Sequence, residues 1–200
     1  FEPDTPMEDR CGECNKCVDV CPTGALVQGG QLDSSKCIAF LTQTKGFLPD
    51  EYRTKLGNRL YGCDTCQTVC PENKGKDNHF HEEMEPDPEL AKPLLRPLLT
   101  MSNRDFKDKF GHVSGSWRGK KPIQRNAIIA LAHFKDETAL PELMDLVRED
   151  PRPVIRGAAA WAIGKIGGDE AYLALKQAKS EEQDQEVLQE IEKGLQMQDK

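Results

Sequence analysis

The chain has 200 residues, 30% of them charged, a net charge of −7, and eight cysteines that all fall within the first 70 positions. That length holds one domain or two small ones, and no apolar run reaches the roughly 20 residues that a membrane span needs. Cysteines crowded at one end, with no apolar leader before them, argue against a disulfide framework and for a reducing, cytoplasmic setting.

The chain begins with Phe1 and enters its first motif within about ten residues, a short lead-in for a whole domain, so it is expected to be the distal part of a longer polypeptide. Cys11, Cys14, Cys17 and Cys21, followed by Pro22, form C-x2-C-x2-C-x3-C-P. Three closely spaced thiolates let one tight loop offer three corners of an iron-sulfur cubane. The fourth Cys points away and, in two-cluster ferredoxins, ligates the other cluster. The reciprocal run is Cys63, Cys66 and Cys70 with Pro71, and its missing member is Cys37, displaced upstream by an insertion of 25 residues. The spacing assigns Cys11, Cys14, Cys17 and Cys70 to one 4Fe-4S cluster and Cys21, Cys37, Cys63 and Cys66 to the second. Two structural zinc sites are the competing reading, because paired C-x2-C elements also suit tetrahedral zinc. Zinc leaves unexplained the third Cys of the first run and the Pro after each closing Cys.

Between the motifs, residues 23–27 lead into a short strand, and Gly29-Gly30 reads as a hairpin turn back to Gln31-Leu32. The insertion is net positive, with Lys45, Arg53, Lys55 and Arg59 against Asp50 and Glu51. Residues 72–88 are polar and Pro-containing, hence a linker or surface loop. Leu90, Leu94, Leu95, Leu98 and Leu99 then recur at helical spacing, broken by Pro93 and Pro97. Ser102 caps a helix through about Lys109, which Gly111 ends. From Lys109 to Lys135 there are basic residues and no acidic ones. A single basic run reads as a solvated face, but two of them flanking a redox centre suit a polyanionic substrate. His79, His81, His112 and His133 sit in no ligand-spaced cluster, so surface or hydrogen-bonding roles are expected.

The second half repeats itself. Residues 124–131 align with 155–162 at a period of 31, residues 137–140 align with 169–172 after a slip of one, and a third unit begins near Val187. Paired helices at this period predict a short HEAT-like solenoid whose units must stack to bury their apolar faces. Small residues over 158–162 allow close helix approach, and the acidic stretch 181–200 reads as a polar terminal cap. The expected fold class is α+β: a dicluster ferredoxin-like domain over residues 1–80, a linker with short helices over 81–116, and an all-α HEAT-like repeat domain over 117–200.

Cys37-Ile38, Leu41-Thr42, Gly46, the run LGNRLYGCDTCQTVCPEN from Leu56 to Asn73, Ser116-Trp117-Arg118-Gly119-Lys120 and Gln124-Arg125-Asn126 together resemble the epoxyqueuosine reductases over nearly the whole chain. The resemblance implies reduction of epoxyqueuosine to queuosine at the wobble position of a tRNA anticodon, using two 4Fe-4S clusters and cobalamin. It implies an external electron donor and the tRNA anticodon stem-loop as partners, and no membrane. In that family the cobalamin-binding domain and the acidic proton donor lie N-terminal to the cluster motif, so no catalytic residue is expected in this chain. The backbone at Cys63 and Asp64 is the candidate for approaching the corrin. Because a wobble base sits in a single-stranded loop that proteins can splay and stack, Gln43, Lys45 and Arg53 in the insertion, with Trp117, Arg118, Lys120, Lys121 and Arg125 at the solenoid entrance, are the tRNA-binding candidates. Trp117 suits the core equally well. The alternatives are a dicluster electron-transfer module of another corrinoid-dependent reductase and a non-catalytic zinc-binding scaffold.

Overall fold

A computed structural model of the chain describes residues 1–76 and 81–198. The N-terminal lobe is irregular. It holds α1 (Lys16–Asp19), the hairpin of β1 (Leu26–Gln28) and β2 (Gln31–Leu32), α2 (Ile38–Leu41), α3 (Asp50–Leu56) and α4 (Thr65–Val69). The hairpin is antiparallel, pairing Leu26 with Leu32 and Gln28 with Gln31, and Gly30 takes φ 76° at its turn. Before Cys37, Ala25 is the one buried apolar residue. This part of the lobe therefore has no core of its own, and metal ligation has to supply much of its folding free energy.

Two short helices come next, α5 (Pro88–Ala91) and α6 (Leu95–Thr100). Pro93 separates them, while Pro97 is tolerated because it lies in the first turn of α6, where no intrahelical N–H is needed. In α7 (Asn103–Phe110) the Ser102 hydroxyl accepts the Asp105 N–H at 3.1 Å, the cap expected from sequence.

The remaining helices are α8 (Lys120–Phe134), α9 (Leu140–Glu149), α10 (Pro153–Ile166), α11 (Asp169–Glu181) and α12 (Gln185–Gln198). They stack in two layers, α8, α10 and α12 against α9 and α11, and α6 extends the second layer by packing on both α8 and α9. The segment 81–116 thus supplies a layer of the solenoid, and its Leu98, Phe106 and Phe110 share a small core with Ile123 and Ala127 of α8. The central helix α10 is buried on nearly all sides from Gly157 to Gly164. Its small residues permit this, since a Cβ on Gly164 would stand 2.3 Å from the Gly194 Cα of α12.

Ile38, Leu41, Leu48 and Leu56 from the insertion belong to the same core as the repeats. The cysteine lobe is therefore seated on the solenoid through its insertion. Among the described residues no helix is long and apolar enough to cross a membrane. His79 lies outside the described residues.

Candidate functional site

The cysteine loops close on each other because α1, which carries Cys17, packs against α4, which carries Cys66. Arg10, just before the first motif, pairs with Glu72, just after the second, at 3.2 Å. None of the eight cysteines is joined in a disulfide. The Cys11 thiol is pushed up, first by the Asp9 carboxylate and further by desolvation and by Cys17 and Cys70 nearby. Burial is the first cause of the rise at Cys66, and the adjacent Cys63 and Cys37 add to it. The chain thus brings Cys11, Cys17 and Cys70 together in one set, and Cys37, Cys63 and Cys66 in another. Cys21 behaves differently: desolvation opposes its ionisation, but N–H groups of Leu26, Thr23 and Ala25 and the Thr23 hydroxyl outweigh it and hold the thiol below its ordinary value. Such donors also stabilise a thiolate bound to a cluster.

Four thiolates around a cubane bind four different irons and stand apart, whereas zinc draws its ligands to one point at about 2.3 Å. Among the described residues no three Cys, His, Asp or Glu side chains converge in the way a single metal ion requires. The donor set and its two-group placement fit a pair of clusters.

Cys63 is half-buried, its Sγ 3.4 Å from the Thr65 hydroxyl, and Arg59 donates to that hydroxyl at 3.0 Å. Asp64 is exposed and, with Val20, Arg59, Thr65, Thr68 and Val69, lines an open hollow of about 590 Å³. Gly62, at φ 74°, turns its N–H to the Thr42 hydroxyl at 3.1 Å, tying this loop to the insertion.

The eight nucleic-acid candidates divide. Lys45, Trp117 and Arg118 are exposed, Gln43 and Lys121 half-exposed. Trp117 is 60% exposed, so the core reading does not hold for it. Lys120 is half-buried and donates to the Met101 carbonyl beyond α6, and burial, with Arg152, lowers its pKa against the pull of Asp150. Arg53 and Arg125 are corrections, for both are buried and engaged inside the protein. Arg53 donates to Leu48 O at 2.9 Å, pairs with Glu190 of α12, and lies 5.7 Å from the Trp161 ring centroid. Arg125, 1% exposed, donates to the carbonyls of Thr44 at 2.8 Å, Gly46 at 2.7 Å and Leu41 at 3.0 Å. Burial, with Arg53 nearby, brings its pKa down to about 10. Both guanidiniums fasten the insertion to the repeats.

Sequence reasoning missed the partners in this fastening. Asn126 donates to Thr42 O and Leu60 O, each at 2.8 Å, and Gln124 donates to Leu99 O. Three consecutive polar residues between Ile123 and the apolar run 127–132 were the available signal, because buried polar groups must find partners. Among the other histidines, His81 meets Glu83 at 3.1 Å, His133 packs edge-on to Phe134, and His112 is exposed.

Comparison with known proteins agrees with this geometry. Residues 10–73 match the model of a 4Fe-4S double cluster binding domain, and residues 119–196 match HEAT repeats. An uncharacterized Geobacillus stearothermophilus protein is 74% identical over 98% of this chain and 91% of its own length. The epoxyqueuosine reductase of Bacillus subtilis is 73% identical over 98% of this chain and 51% of the reductase. A solved epoxyqueuosine reductase, crystallised with an epoxyqueuosine-modified tRNA-Tyr stem loop, superposes with a TM-score of 0.97 at 71% identity over 100% of this chain and 53% of its own. The cysteine lobe is accordingly a double 4Fe-4S cluster domain. With both segments, the order of its elements and this level of identity in agreement, the chain belongs to the epoxyqueuosine reductase family and spans about half the length of the reductases it matches.

Proposed function

We propose that this chain forms the electron-delivering and RNA-docking half of an enzyme that reduces epoxyqueuosine to queuosine at the wobble position of tRNA, in the cytoplasm. The observation that carries this reading is the 71% identity and full-chain superposition with a reductase solved on an epoxyqueuosine-modified tRNA stem loop. Removal of the epoxide oxygen as water takes two electrons and two protons. When bound, the clusters supply single-electron transfer from an external donor, and cobalamin supplies the reductive chemistry at the epoxide.

The residues here do the wiring and the holding. Cys11, Cys14, Cys17 and Cys70 hold one cluster; Cys21, Cys37, Cys63 and Cys66 hold the other. N–H groups around Cys21, and Arg59 acting through Thr65 beside Cys63, favour the more negative, reduced state of the second set. The backbone at Cys63 and Asp64, beside the open hollow, would be where this chain approaches a corrin. Lys45, Arg118 and Lys121 offer positive charge to RNA phosphates.

The test is queuosine formation on epoxyqueuosine-containing tRNA with dithionite and cobalamin present. This chain is compared alone and after mixing with the remaining half of a reductase from its family. The chain alone should be reduced without turning over, and the mixture should turn over. Turnover by the chain alone at the mixture's rate overturns the division of labour; a mixture that neither reacts nor binds the tRNA overturns the function.

A further inference from the structure

Trp117 is exposed, yet it is fixed on two sides. Its indole N–H donates to Gln43 Oε1 at 2.8 Å, and Gln43 is itself oriented by donating from Nε2 to the Ala39 carbonyl at 2.7 Å. The Arg118 guanidinium lies 3.9 Å from the indole centroid. The flanking backbone is set as well. Gly119, at φ 83°, turns the chain into α8 straight after Arg118. On the other side the 3-10 turn Ser114–Ser116 rests on Tyr61, so closely that a Cβ on Gly115 would touch the ring at 3.0 Å.

An indole 60% exposed contributes little burial to the fold, so ordering it by a hydrogen bond and a stacked cation gains little stability for what it costs in side-chain entropy. Such ordering serves binding instead, because a surface already in its bound conformation spares that cost when a ligand arrives. The shape and charge point to the ligand. A flat indole with a guanidinium stacked on it offers π-faces and a cation together, which suits a nucleobase with its neighbouring phosphate. Lys45 and Lys121 lie two and four residues along the chain from Gln43 and Trp117, and no acidic residue occurs from Lys109 to Lys135. An acidic peptide would satisfy the charge but would leave the held ring without a flat partner.

We propose that Trp117 and Arg118, held by Gln43, form a preformed shelf on which an unpaired base of the RNA loop stacks. The proposal rests on the RNA reading above and adds to it a base-stacking site. The shelf is joined to the second cluster's surroundings, since Gln43 comes two residues after α2, which begins directly after Cys37, and Tyr61 stands two residues before Cys63.

The probes are an RNA hairpin with an unpaired loop, the same hairpin with abasic loop positions, and a duplex of equal length. Binding is measured on the whole chain with its clusters reconstituted. Trp117→Ala should weaken hairpin binding roughly 5- to 100-fold, the worth of one stacked base. Trp117→Phe, which keeps a ring, should lose less, and Gln43→Ala should fall between. The salt slope should stay as in the parent, and the abasic hairpin should bind parent and Trp117→Ala alike. In the parent, acrylamide quenching of Trp117 should fall when the hairpin binds, because the other tryptophan, Trp161, is already buried. A parent that prefers the hairpin to the duplex while Trp117→Ala binds it equally tightly overturns the shelf and leaves the RNA reading standing. A parent that does not bind the hairpin overturns both.

Discussion

Replacing Arg125 by Ala separates the two roles a basic residue can have at the start of the repeats. Its guanidinium serves three backbone carbonyls, the buried one of Leu41 and the part-buried ones of Thr44 and Gly46, together with Asn126 Oδ1. Truncation strands the three carbonyls, each at about 1 to 3 kcal/mol, and water entering the vacated space keeps the total near the lower end, about 3 to 5 kcal/mol. For a chain of this length that corresponds to a fall in melting temperature of about 6 to 20 °C. Arg125→Lys keeps the charge but not the fork, so it should recover only a minor part of the loss. The assay is thermal unfolding of the cluster-loaded chain, with hydrogen exchange followed over residues 41–46, where protection should collapse first. An unchanged melting temperature combined with lost RNA affinity would return Arg125 to the phosphate-binding surface and refute its role as a fastener.

Cys70→Ala should damage the cluster held by Cys11, Cys14 and Cys17 and spare that of its sequence neighbours Cys63 and Cys66; electron paramagnetic resonance on the variant decides, and a three-iron signal from the other cluster would overturn the pairing. Replacing Lys45, Arg118 and Lys121 together by Ala should weaken RNA binding and lower its salt slope by roughly 0.7 to 0.9 for each phosphate no longer neutralised, with iron content unchanged; an unaltered slope would make the face merely solvated. Glu182, despite a desolvation cost, is held below its ordinary value of 4.5 by the paired Arg156 and by the N–H groups of Asp184 and Gln183. A depressed carboxylate gives stability that is present above its unfolded pKa and disappears as pH falls through the folded one. Glu182→Gln should therefore melt below the parent at neutral pH and converge with it well under pH 4.5, as read by calorimetry across that window.

What could be read from the sequence came from constraints local enough to leave a mark. The thiolate spacing is such a constraint, since a cubane fixes which residues must share a loop, and the repeat period is another, because stacked helices reuse the same small and apolar positions. The Ser102 cap and the Gly30 turn are set within four residues of chain. The roles of Arg53 and Arg125 are not local. Arg53 meets Glu190, 137 residues away, and Arg125 meets the carbonyl of Leu41, 84 residues away. Charge counting along the chain cannot tell a basic residue on the surface from one whose partners arrive from another element. Glu190 was hidden for the same reason: the acidic stretch at 181–200 looks like a solvated cap, yet Glu190 is 5% exposed beneath Arg53.

The displaced cysteine gains its meaning from the residues just after it. Cys37 leads directly into α2, and within the next seven residues Thr42 takes the Gly62 N–H beside Cys63, Gln43 holds the Trp117 indole, and Thr44 takes the Arg125 guanidinium. One short helix with its C-terminal turn thus fixes a thiolate of the second set, the neighbouring cysteine loop, an exposed aromatic on the basic face, and the solenoid itself. Cys63 itself packs against the core of the repeats, and Cys37 adds a second thiolate of the set at that junction. Moving it 26 positions upstream of Cys63 makes the ligand part of the structural junction. The separation between the second set of thiolates and the exposed Trp117 is then set by packed backbone rather than by a free loop.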